Sequence, residues 1–375
     1  MEPPADAVAA VTHPDPYPYY AELVARRPFH RDASLGLWVA ASAGAVTAVL
    51  TSEICRVRPA AEPVPRALVG TPAGELFGRL VRMNDGADHL RQKPTVSATL
   101  AMLDGAVVAG HARDAAHALI AELAPAAHPE RIADFAFRLS AYTLVGVLGL
   151  PAAARAEAAA HAGDFVRALA PGATPADVER GSAAAAALAA GVRTLPRYAG
   201  AGEERIANVV GFFSQAYEAT AGLVGNTLVA LARHTEARER VARDATWLGA
   251  VVSETARHDA PVQNTRRFVT EAGVVAGQAL KPGDTVLVVL AAANRDPAAN
   301  AEPDRFDPAR RERRSFTFGG GPHACPGEAL AVTIATAGVA ALLAAGVAPG
   351  RAAAAPIYRA SVNTRVPLFG EADRR

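Results

Sequence analysis

Apolar side chains recur at helical spacing from Ile132 to Leu150, and Pro151 closes the run. The segment from Pro175 to Leu195 opens on a proline and is rich in alanine, which favours a helix start and a helix interior. The same pattern predicts a long helix from about Glu203 to His234 and another from about Trp247 to His258. Earlier in the chain, Pro14, Pro16 and Pro18 read as an extended lead-in before a short helix around Tyr19 to Arg26, and Leu35 to Ala41 reads as a strand. Beyond Pro261 the periodicity changes. Phe268 to Val275 and Thr285 to Leu290 carry β-branched runs, with Lys281-Pro282-Gly283-Asp284 between them as a turn. Ala298 to Ser315, with prolines set among charges, reads as an irregular loop, and an uncharged run from Ala329 to Gly350 follows a glycine-rich segment. The pattern predicts a mainly α protein with a minor β region, one domain over residues 1–375, its small sheets near 35–42 and 266–292.

Charge narrows the function classes. The 38 basic and 37 acidic side chains nearly cancel, which argues against nucleic acid held by a general positive field. The Ala329 to Gly350 run is long enough to span a bilayer, but it is built mostly of Ala, Gly, Thr and Val, so a buried core helix is expected and no membrane span. The amino terminus lacks the basic and apolar regions of a signal peptide. Cys55 and Cys325 are the two cysteines, too few for a disulfide framework, so a reducing, cytoplasmic setting is expected.

Cys325 lies in the densest chemical signal, Phe318-Gly319-Gly320-Gly321-Pro322-His323-Ala324-Cys325-Pro326-Gly327, just before a helix. Backbone N–H groups and a helix N-terminus near a thiol stabilise its thiolate, and glycines let a loop lie flat against a planar ligand. Read from the residues alone, a tight turn around a buried structural cysteine remains open. Cys55 reads as an ordinary buried or partly buried thiol.

The spacing F-G-x-G-x-H-x-C-x-G resembles the cysteine-ligand loop of the haem-thiolate monooxygenases, and the chain from about Pro14 to Val366 resembles a bacterial cytochrome P450. Glu254-Thr-Ala-Arg257 is similar to the family's E-x-x-R, and Pro303-Asp304-Arg305-Phe306 to the segment that supplies the third charge of that cluster, which points to Arg305. The resemblance implies the cytochrome P450 fold, haem b (iron protoporphyrin IX) ligated by Cys325, and contacts from Phe318, Gly319 and Gly327. For the propionates it implies His323, Arg267 and the pair His89-x-x-x-Lys93, where lysine replaces the usual arginine and loses its bidentate fork. It also implies electrons from NAD(P)H through a ferredoxin or flavodoxin type of donor, a small-molecule substrate, and a monomer. Substrate contacts are expected from residues about 57 to 88, about 165 to 185, and the long helix.

The long helix departs from the family pattern. In place of A-G-x-(D/E)-T-(T/S) stands Gln215-Ala216-Tyr217-Glu218-Ala219-Thr220. Glu218 keeps the acid. Ala219 replaces the alcohol that helps deliver protons, and Thr220, turned by about 100° around the helix, does not simply substitute. Gln215 lies one turn before Ala219 on the same face. It either orders a water or the reacting oxygen in place of the missing hydroxyl, or it hydrogen-bonds substrate or backbone. The expected catalytic set is therefore Glu218, Gln215, Ala219 and Thr220.

These readings leave three functions open: O2-dependent oxidation of a hydrophobic or mixed-polarity small molecule in bacterial specialised metabolism; haem-thiolate chemistry by peroxide, phenol coupling or substrate-assisted proton delivery; and a haem-binding sensor or carrier. Arg310, Arg311, Arg313 and Arg314 read either as a docking patch for an acidic electron donor or as a solvated turn.

Overall fold

The computed structural model describes residues 2–352 and 356–370, so the extreme ends of the expected 1–375 span and residues 353–355 lie outside the described residues. In chain order the helices are α1 (Tyr17–Arg26), α2 (Ala43–Thr51), α3 (Pro72–Arg79), α4 (Gly86–Ala101), α5 (Gly105–Leu123), α6 (Ile132–Leu148), α7 (Arg155–Leu169), α8 (Pro175–Arg193), α9 (Glu203–Arg233), α10 (Thr235–Arg243), α11 (Leu248–His258), α12 (Leu290–Asn294), α13 (Glu328–Ala344) and a last turn, α14 (Pro349–Ala352). The helices expected in the middle of the chain form with small shifts at their ends. At α6 the stop comes from Gly149, whose left-handed φ of 76° closes the helix before Pro151. A reciprocal capping box between Thr174 and Asp177 starts α8.

The 31-residue helix α9 is the axis of the molecule, packed against α6, α7, α8, α11 and α13. Its middle and C-terminal half is buried almost continuously, from Thr220 to Leu231. At Gly222 the chain near Arg365 comes so close that an added Cβ would lie 2.7 Å from the Arg365 carbonyl oxygen. The uncharged run becomes α13, whose Ile334, Val339 and Leu342 are buried in the same helical core. No described helix is long and apolar enough to cross a membrane.

The strands are β1 (Phe29–Asp32), β2 (Leu37–Ala40), β3 (Cys55–Arg56), β4 (Thr265–Val269), β5 (Gly273–Val275), β6 (Gln278–Leu280), β7 (Thr285–Val288), β8 (Ile357–Tyr358) and β9 (Pro367–Leu368). Five form a sheet in the order β1-β2-β7-β4-β3, with β2 and β7 parallel and the other pairs antiparallel. The predicted strand 268–275 is two elements: β4 starts earlier, at Thr265, and β5 leaves the sheet to form a hairpin with β6. Residues 289–290, expected at the end of a strand, lead into α12 instead. No regular element lies between Asn294 and Gly321, as expected for the loop.

Candidate haem site

A cavity of about 1240 Å³ separates the middle of α9 from the loop that carries Cys325. It exceeds the 300–1,000 Å³ of an ordinary small-ligand pocket, which leaves room for a flat cofactor together with a second molecule. Its floor is the segment Phe318–Gly327. Cys325 N–H donates to the Phe318 carbonyl (2.8 Å), tying the two ends of the loop together. Gly319 and Gly321 take positive φ values of 73° and 63°. At Gly321 a side chain would also meet the Leu50 carbonyl oxygen at 2.8 Å, so the turn requires glycine on both counts. Gly327 needs no special backbone angle; its N–H instead donates to Cys325 Sγ at 3.3 Å.

The Cys325 thiol opens onto the cavity. Burial pushes its pKa up, while the Gly327 N–H and the charge of Lys93 oppose that rise. Cys55 lies in β3, 5% exposed and absent from the cavity wall, with its thiol also pushed up by burial.

Four candidate propionate contacts meet along one edge. The His89 and His323 rings lie 4.2 Å apart between centroids. Lys93 Nζ donates to the Ala324 carbonyl (2.6 Å), and Arg267 is 5% exposed on β4. His89 is pulled below its ordinary pKa by burial and then by His323 and Lys93; burial also lowers Lys93 and Arg267. His89 Nε2 and Arg267 Nε are buried without a partner among the described residues. Buried nitrogens of this kind are costly unless a ligand satisfies them, and cations at a cavity edge suit anionic carboxylates. The residues present therefore fit an iron porphyrin with its propionates on this edge. Sequence reasoning missed Asp85, which bonds His323 Nε2 (3.0 Å) and Val57 N–H (3.0 Å) and so orients the histidine.

Opposite the loop, Gln215, Glu218, Ala219 and Thr220 all border the cavity. Gln215 Nε2 donates to the Gly211 carbonyl (2.9 Å), so one of its N–H groups is engaged by its own helix. Glu218 pairs with Arg359 (2.7 Å) and accepts from Thr364 Oγ1 (3.2 Å), two residues of the segment between β8 and β9 that the sequence did not single out. Thr220 is 1% exposed. Tyr217 lines the cavity with its ring 5.1 Å from Phe137. Of the segment 57–88, only Val81 and Arg82 reach the wall, and of 165–185 only residues 166, 167 and 169–171. Most of the remainder of that second segment belongs to α8, which packs against α7. In their place come Asp134 and Phe137 of α6 and the segment 359–364.

Beside the loop, Glu254 and Arg257 form an ion pair at 2.6 Å with both side chains 0% exposed. Arg257 also donates to the carbonyls of Asn294, Pro303 and Arg305. The third charge is not Arg305, whose guanidinium lies at the surface beside Glu302. It is Arg313, with Nε 3.0 Å from Glu254 Oε2, supported by Arg310 at 3.5 Å. The irregular loop folds back over α11, so later arginines reach the carboxylate while Arg305 contributes only its backbone. Half of the four-arginine patch is thus built into this network. Arg311 is exposed, and Arg314 bonds Thr47 Oγ1 (3.0 Å).

A helical protein whose longest helix faces a glycine-rich cysteine loop across a large cavity has the architecture of a haem-thiolate protein. The cytochrome P450 family model matches residues 202–345 of the chain. It is similar to the solved structure of CalO2, with 28% identity, a TM-score of 0.81, and coverage of 98% of this chain and 97% of that one. It is also similar to the biotin biosynthesis cytochrome P450 of Bacillus subtilis, 22% identical over 340 residues that cover 84% of this chain and 85% of that protein. Identity is higher but local with cytochrome P450 133B1 of Xylella fastidiosa, 38% over 130 residues, or 35% of this chain. That alignment spans 32% of the relative's own length.

Proposed function

We propose that the protein is a haem-thiolate monooxygenase that oxidises a hydrophobic or mixed-polarity small molecule. The observation that carries the proposal is the placement of Cys325 and the α9 residues 215–220 on opposite walls of one cavity. Haem b, bound through the Cys325 thiolate, would supply O2 activation, and thiolate donation favours O–O cleavage. His89, His323, Lys93 and Arg267 would hold its propionates. Phe318, Gly319 and Gly327 shape the loop, Gly327 by donating to the sulfur. Two electrons would come from NAD(P)H through a ferredoxin or flavodoxin type of donor in the cytoplasm, with Arg311 and Arg314 left to meet an acidic partner.

The chain's own contribution on the distal side is position and protons. Glu218 is fixed by Arg359 and Thr364, and Gln215, which lines the cavity with one N–H spent on Gly211, has a second N–H and its carbonyl oxygen without a partner among the described residues. That pair can order a water near Ala219. A second reading, that the substrate brings its own hydroxyl or that peroxide serves as oxidant, draws support from the absence of a side-chain hydroxyl at Ala219. Turnover with isotopically labelled dioxygen decides between them. Label in the product with NAD(P)H and a redox partner supports the monooxygenase; product formed only with added peroxide supports the second reading. Haem binding without turnover under either condition leaves a sensor or carrier.

A further inference from the structure

Arg82 is a cavity-lining cation without a role in the machinery above. It sits in a 3-10 turn, Val81–Met83, between α3 and α4. The turn is fastened to α9: Val81 N–H donates to Asn208 Oδ1 (2.8 Å), and Asn208 Nδ2 donates to the carbonyls of Arg79 and Glu204 and to Gln92 Oε1. Leu80 packs over Gly211 so closely that an added Cβ would lie 2.6 Å from its Cδ2. The backbone carrying Arg82 is therefore locked to α9 at Asn208, about two helical turns before Gln215.

The side chain opens onto the cavity, yet it makes no hydrogen bond or ion pair with any described residue. Burial lowers its pKa, and no carboxylate lies near enough to offset that effect. Of the other charges lining the cavity on this side, Glu218 pairs with Arg359 and Arg167 with Asp164, while the Asp134 carboxylate on α6 makes no ion pair with a described residue. The Arg82 side chain is accessible from within the cavity and carries no counter-charge among the described residues, and its planar fork matches a carboxylate with two parallel hydrogen bonds.

We propose that Arg82 is a specificity-determining residue that anchors a carboxylate on the substrate, making the preferred substrate an elongated apolar carboxylic acid. This rests on the monooxygenase reading of the cavity. Asn208, where the turn is fastened, precedes Ala219 by eleven residues, about 16 Å of helix axis. An anion held at Arg82 thus leaves an apolar body to lie along Phe212 and Gln215 toward the cysteine loop.

The test uses ferric holoenzyme with myristic acid and methyl myristate as probes, followed by calorimetry and by the spin-state shift. Wild type is expected to bind the acid at least tenfold more tightly than the ester. Arg82→Gln abolishes that preference by weakening the acid alone, and Arg82→Lys retains part of it. Equal binding of acid and ester by wild type, no binding of either, or equal loss of both in Arg82→Gln overturns the proposal. The carbon-monoxide spectrum of each protein keeps the two readings apart. If the thiolate band is present but the acid preference is absent, only the Arg82 assignment fails. If Arg82→Gln loses haem, the arginine belongs to the cofactor cradle and the proposal also fails.

Discussion

Replacing Glu254 by alanine would leave Arg257 fully buried with no counter-charge, because both side chains are 0% exposed and the remaining partners of Arg257 are neutral carbonyls. Breaking a buried pair in this way costs about 3–5 kcal/mol. At an unfolding entropy of about 2.1 cal/mol/K per residue, that corresponds to a fall in Tm of about 4–6 °C for this chain. Arg313→Ala removes one charge-assisted hydrogen bond to the same carboxylate and is expected to cost about 1.5–3 kcal/mol. Arg305→Ala removes only an exposed pair with Glu302 and should stay within about 0.5 kcal/mol. Thermal unfolding of the three haem-loaded variants, with haem content per protein measured alongside, gives the order Glu254 > Arg313 > Arg305. If Arg305→Ala destabilises as much as Arg313→Ala, the third charge has been assigned to the wrong arginine. Normal yield and Tm for Glu254→Ala would refute the buried-pair argument altogether.

Gln215→Ala should raise peroxide release per NAD(P)H at least twofold with the substrate-induced spin shift intact, and Ala219→Thr in that background should restore part of the coupling; loss of substrate binding with unchanged coupling would make Gln215 a substrate contact. Charge reversal at Arg311 and Arg314 should slow reduction by an acidic donor, most at low salt, in stopped-flow measurements. A rate indifferent to charge and ionic strength would leave these two as a solvated turn. His258 donates from Nε2 to the Asp304 carbonyl and accepts at Nδ1 from Arg295, and burial with that neighbouring cation lowers its pKa to about 2. Because the unfolded chain takes up this proton first, stability is retained above about pH 6.5 and lost below it, by up to about 1.4 kcal/mol per pH unit. Denaturant unfolding of His258→Asn should show a shallower decline between pH 6.5 and 5, and an unchanged slope would contradict the assignment.

The helical core was legible because its signals are local. Periodicity, the proline at the start of α8 and Pro151 after α6 each act within a few residues. The strands were less so: Phe29–Asp32 and Cys55–Arg56 are too short to show alternation and are strands only through their pairing with β2 and β4. The glycine-rich spacing singled out Cys325 as the candidate iron ligand, whereas Arg313, Arg359, Asp85 and Arg82 reach their places through loops whose course is set by tertiary packing. Nothing in the sequence distinguishes Arg313 from Arg311; their separation follows from which side of the loop faces Glu254. Likewise, Gln215 was placed on the right face by helical geometry, but its bond to Gly211 depends on a rotamer that spacing does not specify.

The carbon-monoxide difference spectrum of the reduced holoenzyme tests the central claim most directly, read on wild type beside Cys325→Ser and Cys55→Ser. Thiolate ligation by Cys325 predicts the characteristic thiolate band in wild type and Cys55→Ser and its loss in Cys325→Ser. A wild-type band at the position of histidine-ligated haem, or a thiolate band that survives Cys325→Ser, would contradict the account.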